Sequence, residues 1–402
     1  MKYGKKALAL LLCCAGLLTA CGKNSGMGEE DMKVMESIAQ SVAESVAESV
    51  VSSLEAEKEE AVREAVASAV SESRDAASTT DPENNKTDHN TAPAVPSDLS
   101  GFAKEHGALQ VDGTKLVDQN GDPIQIYGMS THGIAWYPQF VCYESFKTLR
   151  DDWNTNCVRL AMYTAEDKGY CTGGNQDELK ALVKLGVDAA TELGMYVIID
   201  WHILSDQDPN AHKDEAIKFF NEMSGYYASS TNVLYEICNE PNGYATWDSV
   251  KSYAEEVIPV IRANDPDAVI IVGTPTWSQD IDKAKDHPLS YDNLMYALHF
   301  YAGTHKDTLW NRLDSCVQNG LPVFITEFGM CDASGNGAND FESTKSWFEV
   351  IERYNVSFCC WNLANKDESS SVLKSSTTSV SNWTEEELNE SGKWIRNYFR
   401  SK

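Results

Sequence analysis

The chain is 402 residues long, sets 33 basic against 61 acidic side chains for a formal net charge of -28, and is 42% hydrophobic. So large an acidic excess excludes a nucleic-acid binder, which must neutralise phosphates with lysine and arginine, and it opposes electrostatic attachment to anionic lipid. It fits a neutral polymer as ligand, or simply a soluble surface. The 10 Trp and 17 Tyr offer flat faces that stack on sugar rings but also fill ordinary cores.

Lys2, Lys5 and Lys6 precede an apolar stretch over 7–18, followed by Leu18-Thr19-Ala20-Cys21. This is the pattern of a bacterial lipoprotein signal over 1–20, with Cys21 lipidated after cleavage and the protein held at the outer face of the cell membrane. An ordinary signal peptide and free secretion is the alternative. No other run is long and apolar enough to span a bilayer. Residues 21–77 form an acidic Ala/Glu/Val-rich spacer in which Ser-Val-Ala-Glu repeats at 41–44 and 45–48. Val42, Val46, Val50 and Leu54 fall on one helical face, so the spacer is a helix, a weak coiled coil or a disordered tether. Residues 78–98 are Pro/Thr/Asn linker.

From 99 to 402 the composition turns globular, and roughly 300 residues suits one (β/α)8 barrel. A small hairpin over 110–121 is placed to plug one end. Eight β-rich runs follow, at 124–129, 157–161, 196–200, 233–238, 269–272, 294–298, 323–326 and 356–360. Amphipathic segments at 177–193, 213–224, 247–263, 306–319, 340–353 and 385–398 lie among them. Strand–helix alternation of this kind predicts an α/β TIM barrel, a parallel sheet closed by eight strands with helices outside.

In such a barrel the residues just beyond each strand build the site. In chain order they are His132, Trp136 and Tyr137; Arg159 and Tyr163; His202; Asn239-Glu240-Pro241; Trp277; His299 and Tyr301; Glu327; and Trp361. Glu240 alone could instead cap the next helix. Two glutamates at the ends of the fourth and seventh runs, across a barrel from one another, suit glycoside hydrolysis, which needs a carboxylic acid at the leaving oxygen and a carboxylate at the anomeric carbon. Carboxyls about 5 Å apart would retain configuration.

The stretch Tyr235-Glu236-Ile237-Cys238-Asn239-Glu240-Pro241 resembles the Asn-Glu-Pro motif of family-5 glycoside hydrolases, bacterial endoglucanases above all. Tyr296-Ala-Leu-His-Phe-Tyr-Ala-Gly-Thr-His305, Ile325-Thr-Glu-Phe-Gly329, Asp332-Ala-Ser-Gly-Asn-Gly337 and Lys366-Asp-Glu-Ser-Ser-Ser371 extend the likeness over most of the C-terminal domain. The resemblance implies that Glu240 is the acid/base and Glu327 the nucleophile. It further implies that Asn239 bonds the sugar 2-hydroxyl, that Arg159 keeps the nucleophile ionised, and that His299 and Tyr301 tune both glutamates. His132, Trp136, Tyr137, Tyr163, His202, Trp361, Ala333, Ser334, Lys366 and Glu368 would line the sugar cleft, with Trp277 on the leaving-group side. Phe328 stands where relatives often carry Trp, and Cys331 replaces a small polar residue; both could alter packing beneath the nucleophile.

The implied activity is endo-hydrolysis of β-1,4-glucan. Mannan, glucomannan and xyloglucan remain alternative substrates, and a non-catalytic oligosaccharide-binding lipoprotein and an adhesin acting through the spacer are the competing classes. No cofactor is expected. His202, Asp206 and His212 lack a recognised metal spacing. The catalytic domain is expected to be a monomer. Beyond Cys13, Cys14 and Cys21, eight cysteines sit mostly in apolar runs with no C-x-x-C pair, as small buried hydrophobes. A Cys142–Cys171 disulfide is left open.

Overall fold

The computed structural model describes residues 101–402; the signal, spacer and linker expected over 1–98 lie outside the described residues. A short helix α1 (Phe102–His106) leads into the antiparallel hairpin β1 (Gln110–Asp112) and β2 (Lys115–Val117). The barrel follows as β3 (Tyr127–Thr131), β4 (Cys157–Tyr163), β5 (Tyr196–His202), β6 (Val233–Glu236), β7 (Ile270–Val272), β8 (Leu294–Tyr301), β9 (Val323–Gly329) and β10 (Ser357–Leu363). These eight close in chain order, β10 pairing back to β3, and the pairings are parallel. Outside run α2 (Tyr143–Asp151), α3 (Gln176–Glu192), α4 (Lys213–Tyr226), α5 (Trp247–Asn264), α6 (Ile281–Asp286), α7 (Asp307–Gln318), α8 (Phe341–Tyr354) and α9 (Glu390–Arg400). The helices begin where local chemistry stops the chain from staying extended. Asn175 caps α3 by accepting from the N–H groups of Asp177 and Glu178, and Thr246 and Ser249 form a reciprocal capping box on α5. None of the described helices is long and apolar enough to cross a membrane.

The alternation of side chains along a strand sorts the barrel into layers. On β5, Val197, Ile199 and Trp201 pack outward under the helices, in the large cluster that also holds Val183, Val187 and Phe219 of α3 and α4. Tyr196 and Ile198 point inward and join Leu234, Ile271, Met295, Ala297 and Phe324 in a second, dry cluster. Leu116 of the hairpin and Leu109 just before it belong to that cluster, so the hairpin does close one end. Above it the same inward rows switch to polar groups: Asp200 and His202 on β5, Arg159 on β4, Glu236 on β6, His299 and Tyr301 on β8. One end of the barrel is thus an oil plug and the other a polar bowl.

Several expected boundaries move. The first strand is not 124–129 but Tyr127–Thr131, because Ile124 and Ile126 are buried in the lower plug before the ladder begins. β5, β8, β9 and β10 run two or three residues beyond the apolar runs, into the polar residues of the bowl. The expected helix over 385–398 is a 3-10 turn, Glu385–Glu387, then α9. All eight cysteines of the described residues are free thiols, Cys142 and Cys171 included.

Candidate active site

Glu240 follows β6 by four residues and Glu327 lies within β9. A carboxylate oxygen of each, together with a ring nitrogen of His299, all lie within 4.8 Å of one another. An irregularity in β9 brings this about. Opposite β8 the pairing runs Ala297 with Phe324, then His299 with Glu327, one residue out of step. The extra residue is the mark of a bulge, and it turns both Thr326 and Glu327 into the barrel where strict alternation would send one out. Phe328 then faces outward and stacks on Phe300 at 5.1 Å, among Phe348 and Phe358. Phe328 therefore packs away from the bowl, whereas Cys331 is buried beside Tyr163, Tyr301 and Trp361.

Beneath the glutamates sits Arg159, 0% exposed. Its guanidinium donates to Glu236 at 2.7 and 3.1 Å, to Asn239 Oδ1 at 2.7 Å, and to Glu327 and Ser130 at 3.2 Å each, and it lies 2.9 Å from Asp200. A buried charge needs such pairing to persist. Asn239 is fixed by this grip: its oxygen faces Arg159, and its amide nitrogen reaches His202 Nε2 at 3.2 Å and the Ile203 carbonyl at 3.1 Å. Burial, and then the neighbouring Glu240, push the Glu327 carboxyl above its ordinary range, while His299 and Arg159 oppose them. Tyr301 donates its hydroxyl to Glu327 at 2.8 Å. Burial acts to lower the His299 pKa, but the flanking carboxyls of Glu236, 3.8 Å away, and Glu240, at 2.9 Å, outweigh it and raise it to about 9. Glu236 goes the other way: burial works to raise it, and Arg159 and His299 hold it down to about 2.

Around the bowl the predicted aromatic residues converge. Ring centroids of His132 lie 5.6 Å from Trp136, 5.0 Å from Tyr137 and 5.1 Å from Trp361, and Tyr163 lies 4.0 Å from His202. Burial first, then the charge of Lys366, lower His132 to about 3, and burial with Arg159 lowers His202 to about 4. Both rings are therefore neutral at neutral pH. Lys366 bridges Glu368 at 2.6 Å and His132 at 3.4 Å. Ala333 and Ser334 are exposed on the loop after β9, which is stitched to the Lys366–Ser371 loop by the Ser370 N–H donating to the Gly335 carbonyl at 3.0 Å.

Trp277 stands apart from that ring cluster and is 46% exposed. Thr276, Trp277 and Ser278 have φ of 59°, 53° and 53°, a left-handed turn of three non-glycine residues, which costs about 1–2 kcal/mol per residue. Ser278 Oγ donating to the Asn239 carbonyl at 2.6 Å and the Trp277 N–H donating to the Pro241 carbonyl at 3.0 Å hold it in place. The turn thereby ties Trp277 directly to the Asn-Glu-Pro segment. Gly273 just before it lets the strands close up: a Cβ there would lie 2.1 Å from the Cys238 carbonyl oxygen.

Sequence reasoning missed Asp200, Glu236, Thr326, Ser130 and Ser278. Asp200 and Glu236 were legible in principle, as charged residues inside otherwise apolar strand runs, in register with His202 and two or four residues ahead of the motif residues. Tyr244, 75% exposed on the loop after Glu240, was also passed over. The Glu240–His299–Glu327 group has donors of the kind that bind metal, but each already has hydrogen-bond partners within the protein.

A closed parallel barrel whose polar mouth holds two glutamates this close has the geometry of a retaining, not an inverting, glycoside hydrolase, since inverting pairs stand roughly 6.5–9.5 Å apart. The family model for cellulase, glycosyl hydrolase family 5, matches residues 117–367. The chain is 48% identical over 316 residues to endoglucanase A of Butyrivibrio fibrisolvens, covering 78% of this chain and 73% of that protein. It is 48% identical over 291 residues to an endoglucanase of Clostridium saccharobutylicum, covering 72% and 64%. The catalytic domain of Thermobifida fusca endoglucanase Cel5A, solved as a variant in complex with cellotetraose, superposes with a TM-score of 0.71 at 41% identity, over 74% of this chain and 99% of that domain. The chain belongs to glycosyl hydrolase family 5, the cellulases.

Proposed function

We propose that this protein is a retaining endo-β-1,4-glucanase in which Glu240 is the proton donor and Glu327 the nucleophile. The observation that carries the reading is the two buried carboxyls within 4.8 Å at the polar mouth of the barrel, a spacing that leaves no room for a water between nucleophile and anomeric carbon. In the first half-reaction Glu327 attacks C1 while Glu240 protonates the departing glycosidic oxygen. In the second, Glu240 takes a proton from water as that water displaces Glu327. Arg159 and Tyr301 hold the Glu327 carboxylate in line, and Asn239 is pinned where it meets the 2-hydroxyl of the sugar. The rings of His132, Trp136, Tyr137, Tyr163, His202 and Trp361 form the donor-side wall. Lys366, Glu368, Ala333 and Ser334 extend it, and Trp277 receives the leaving sugars. The endoglucanase names of the relatives and the cellotetraose held by the Thermobifida domain support β-1,4-glucan as substrate.

The 101–402 barrel is assayed for new reducing ends on carboxymethylcellulose, lichenan and β-mannan, beside Glu240→Ala and Glu327→Ala. Activity on the glucans that both variants abolish supports the reading. Preference for mannan keeps the mechanism and replaces the substrate; full activity in either variant refutes the residue roles. We further propose that Cys21 carries lipid and holds a monomeric enzyme at the outer face of the bacterial membrane, where polymeric substrate is accessible. The basic start, apolar core and small residues before Cys21 support this. Labelling with radioactive palmitate that disappears in Cys21→Ser tests it.

A further inference from the structure

Behind the cleft the two glutamates are joined by an unbroken line of hydrogen bonds through His299, Thr326, Glu236 and Arg159, of which Thr326 and Glu236 have no role so far. Glu240 Oε1 lies 2.9 Å from His299 Nδ1, and His299 Nε2 lies 2.8 Å from Thr326 Oγ1. Thr326 Oγ1 lies 2.8 Å from Glu236 Oε1. Arg159 grips both oxygens of Glu236 and reaches Glu327 at 3.2 Å. Every member is buried, so each bond must be satisfied within the line.

The direction of these bonds follows from what each group can donate. Glu236, held by Arg159, is a carboxylate and only accepts. Thr326 has one hydroxyl proton, and the bond to Glu236 uses it. Towards His299 the same oxygen can then only accept, so Nε2 must carry hydrogen. The other nitrogen, Nδ1, faces Glu240. The charged groups around the ring are Glu236 of β6, Glu240 beyond it, Glu327 of β9 and, more weakly coupled, Asp200 of β5, while Arg159 of β4 lies on the far side of Glu236. With carboxyls on every near side, a second proton on the ring is favoured, and Nδ1 then donates to Glu240.

We propose that Thr326 and Glu236 are positioning residues that lock His299 as an imidazolium with Nε2–H bonded to Thr326, so that Nδ1–H donates to Glu240 through both half-reactions. The proton transferred in the first half-reaction is Glu240's own. It passes to the glycosidic oxygen as the C1–O bond breaks and the bond from Glu327 to C1 forms. It is replaced from water when the water oxygen bonds C1 and the Glu327 ester breaks. His299 gains and loses nothing; it supplies a fixed positive partner to the Glu240 carboxylate that exists between the two steps.

The inference rests on Glu240 being the acid/base, yet it fails separately, since loss of that role is read from Glu240→Ala and loss of this one from Thr326. The experiment is the pH dependence of kcat/KM for cellotetraose in wild type, Thr326→Val and Thr326→Ser. Valine keeps the shape and removes the acceptor. With that positive partner weakened, Glu240 holds its proton to higher pH, so the alkaline limb moves up by about one pH unit or more, and serine restores it. In parallel, nitrogen-15 spectra of His299 in the wild-type enzyme show both ring nitrogens protonated at neutral pH. A valine variant that is uniformly slower with an unmoved alkaline limb overturns the proposal in favour of simple packing. So does a wild-type spectrum of a neutral ring, a result that holds even if the valine variant fails to fold.

Discussion

Replacing Arg159 by lysine keeps the charge and removes the fork, and the structure says how much that removes. Six contacts converge on the guanidinium: two from Glu236 and one each from Asp200, Glu327, Asn239 and Ser130. An ammonium has three donors on one atom, so half of these six contacts lose their donor inside a region sealed from water. At ~1–3 kcal/mol for each buried polar group left unpaired, the variant is less stable by about 3 kcal/mol or more. For a domain of about 300 residues that is a fall in Tm of about 5 °C or more. Asn239 loses the contact that points its oxygen inward. Glu327, already pushed up by burial, keeps the neighbouring charge but loses the 3.2 Å hydrogen bond from the fork, so the acid limb of kcat/KM shifts to higher pH. Calorimetry and a pH–rate profile on a soluble β-glucan measure both. A variant that melts within about 2 °C of wild type with an unmoved acid limb would show that Arg159 is a bystander.

Three further outcomes follow from the geometry. His299 is raised from 6.5 to about 9, so its contribution is fully present below about pH 6.5 and is lost as pH rises through about 9; it amounts to about 3 kcal/mol. Denaturant titrations at pH 6 and pH 9.5 should therefore show a smaller alkaline loss in His299→Gln than in wild type, and equal losses would contradict the assignment. Gly273→Ala drives a Cβ to 2.1 Å from the Cys238 carbonyl, a backbone clash that cannot relax through a rotamer; a cost of about 3 kcal/mol and loss of activity are expected, measured by thermal melts and reducing-end release. Trp277→Ala removes a ring held beside the Asn-Glu-Pro segment, and kcat/KM on cellopentaose should fall about tenfold, with a smaller fall on an aryl cellobioside that has no leaving sugar; equal falls on both would place Trp277 elsewhere.

The barrel was legible because its outward rows must be apolar under the helices and its lower inward rows apolar in the plug, which makes eight continuous runs. The same physics hid the strand ends. His202, Tyr301 and Gly329 remain hydrogen-bonded in the sheet, but their inward neighbours are polar, so an apolar run stops short of them. Ile124 and Ile126 misled in the opposite sense, being apolar for the plug and not for the ladder. Glu240 and Glu327 stood out because each closes a motif. Glu236 and Thr326 did not: a carboxylate whose partner is an arginine 77 residues away, and a threonine turned inward by a bulge, leave no local periodic trace. Their roles come from three-dimensional register alone.

The most direct test is to trap the covalent intermediate. Wild-type enzyme is incubated with a 2-deoxy-2-fluoro-β-cellobioside bearing a dinitrophenyl leaving group, digested, and read by mass spectrometry. One glycosyl adduct on the peptide containing Glu327, absent in Glu327→Gln and still formed in Glu240→Ala because the dinitrophenyl group leaves without a proton, is the predicted result. An adduct on another residue, or none at all beside release of the α-anomer from natural substrate, would contradict the account.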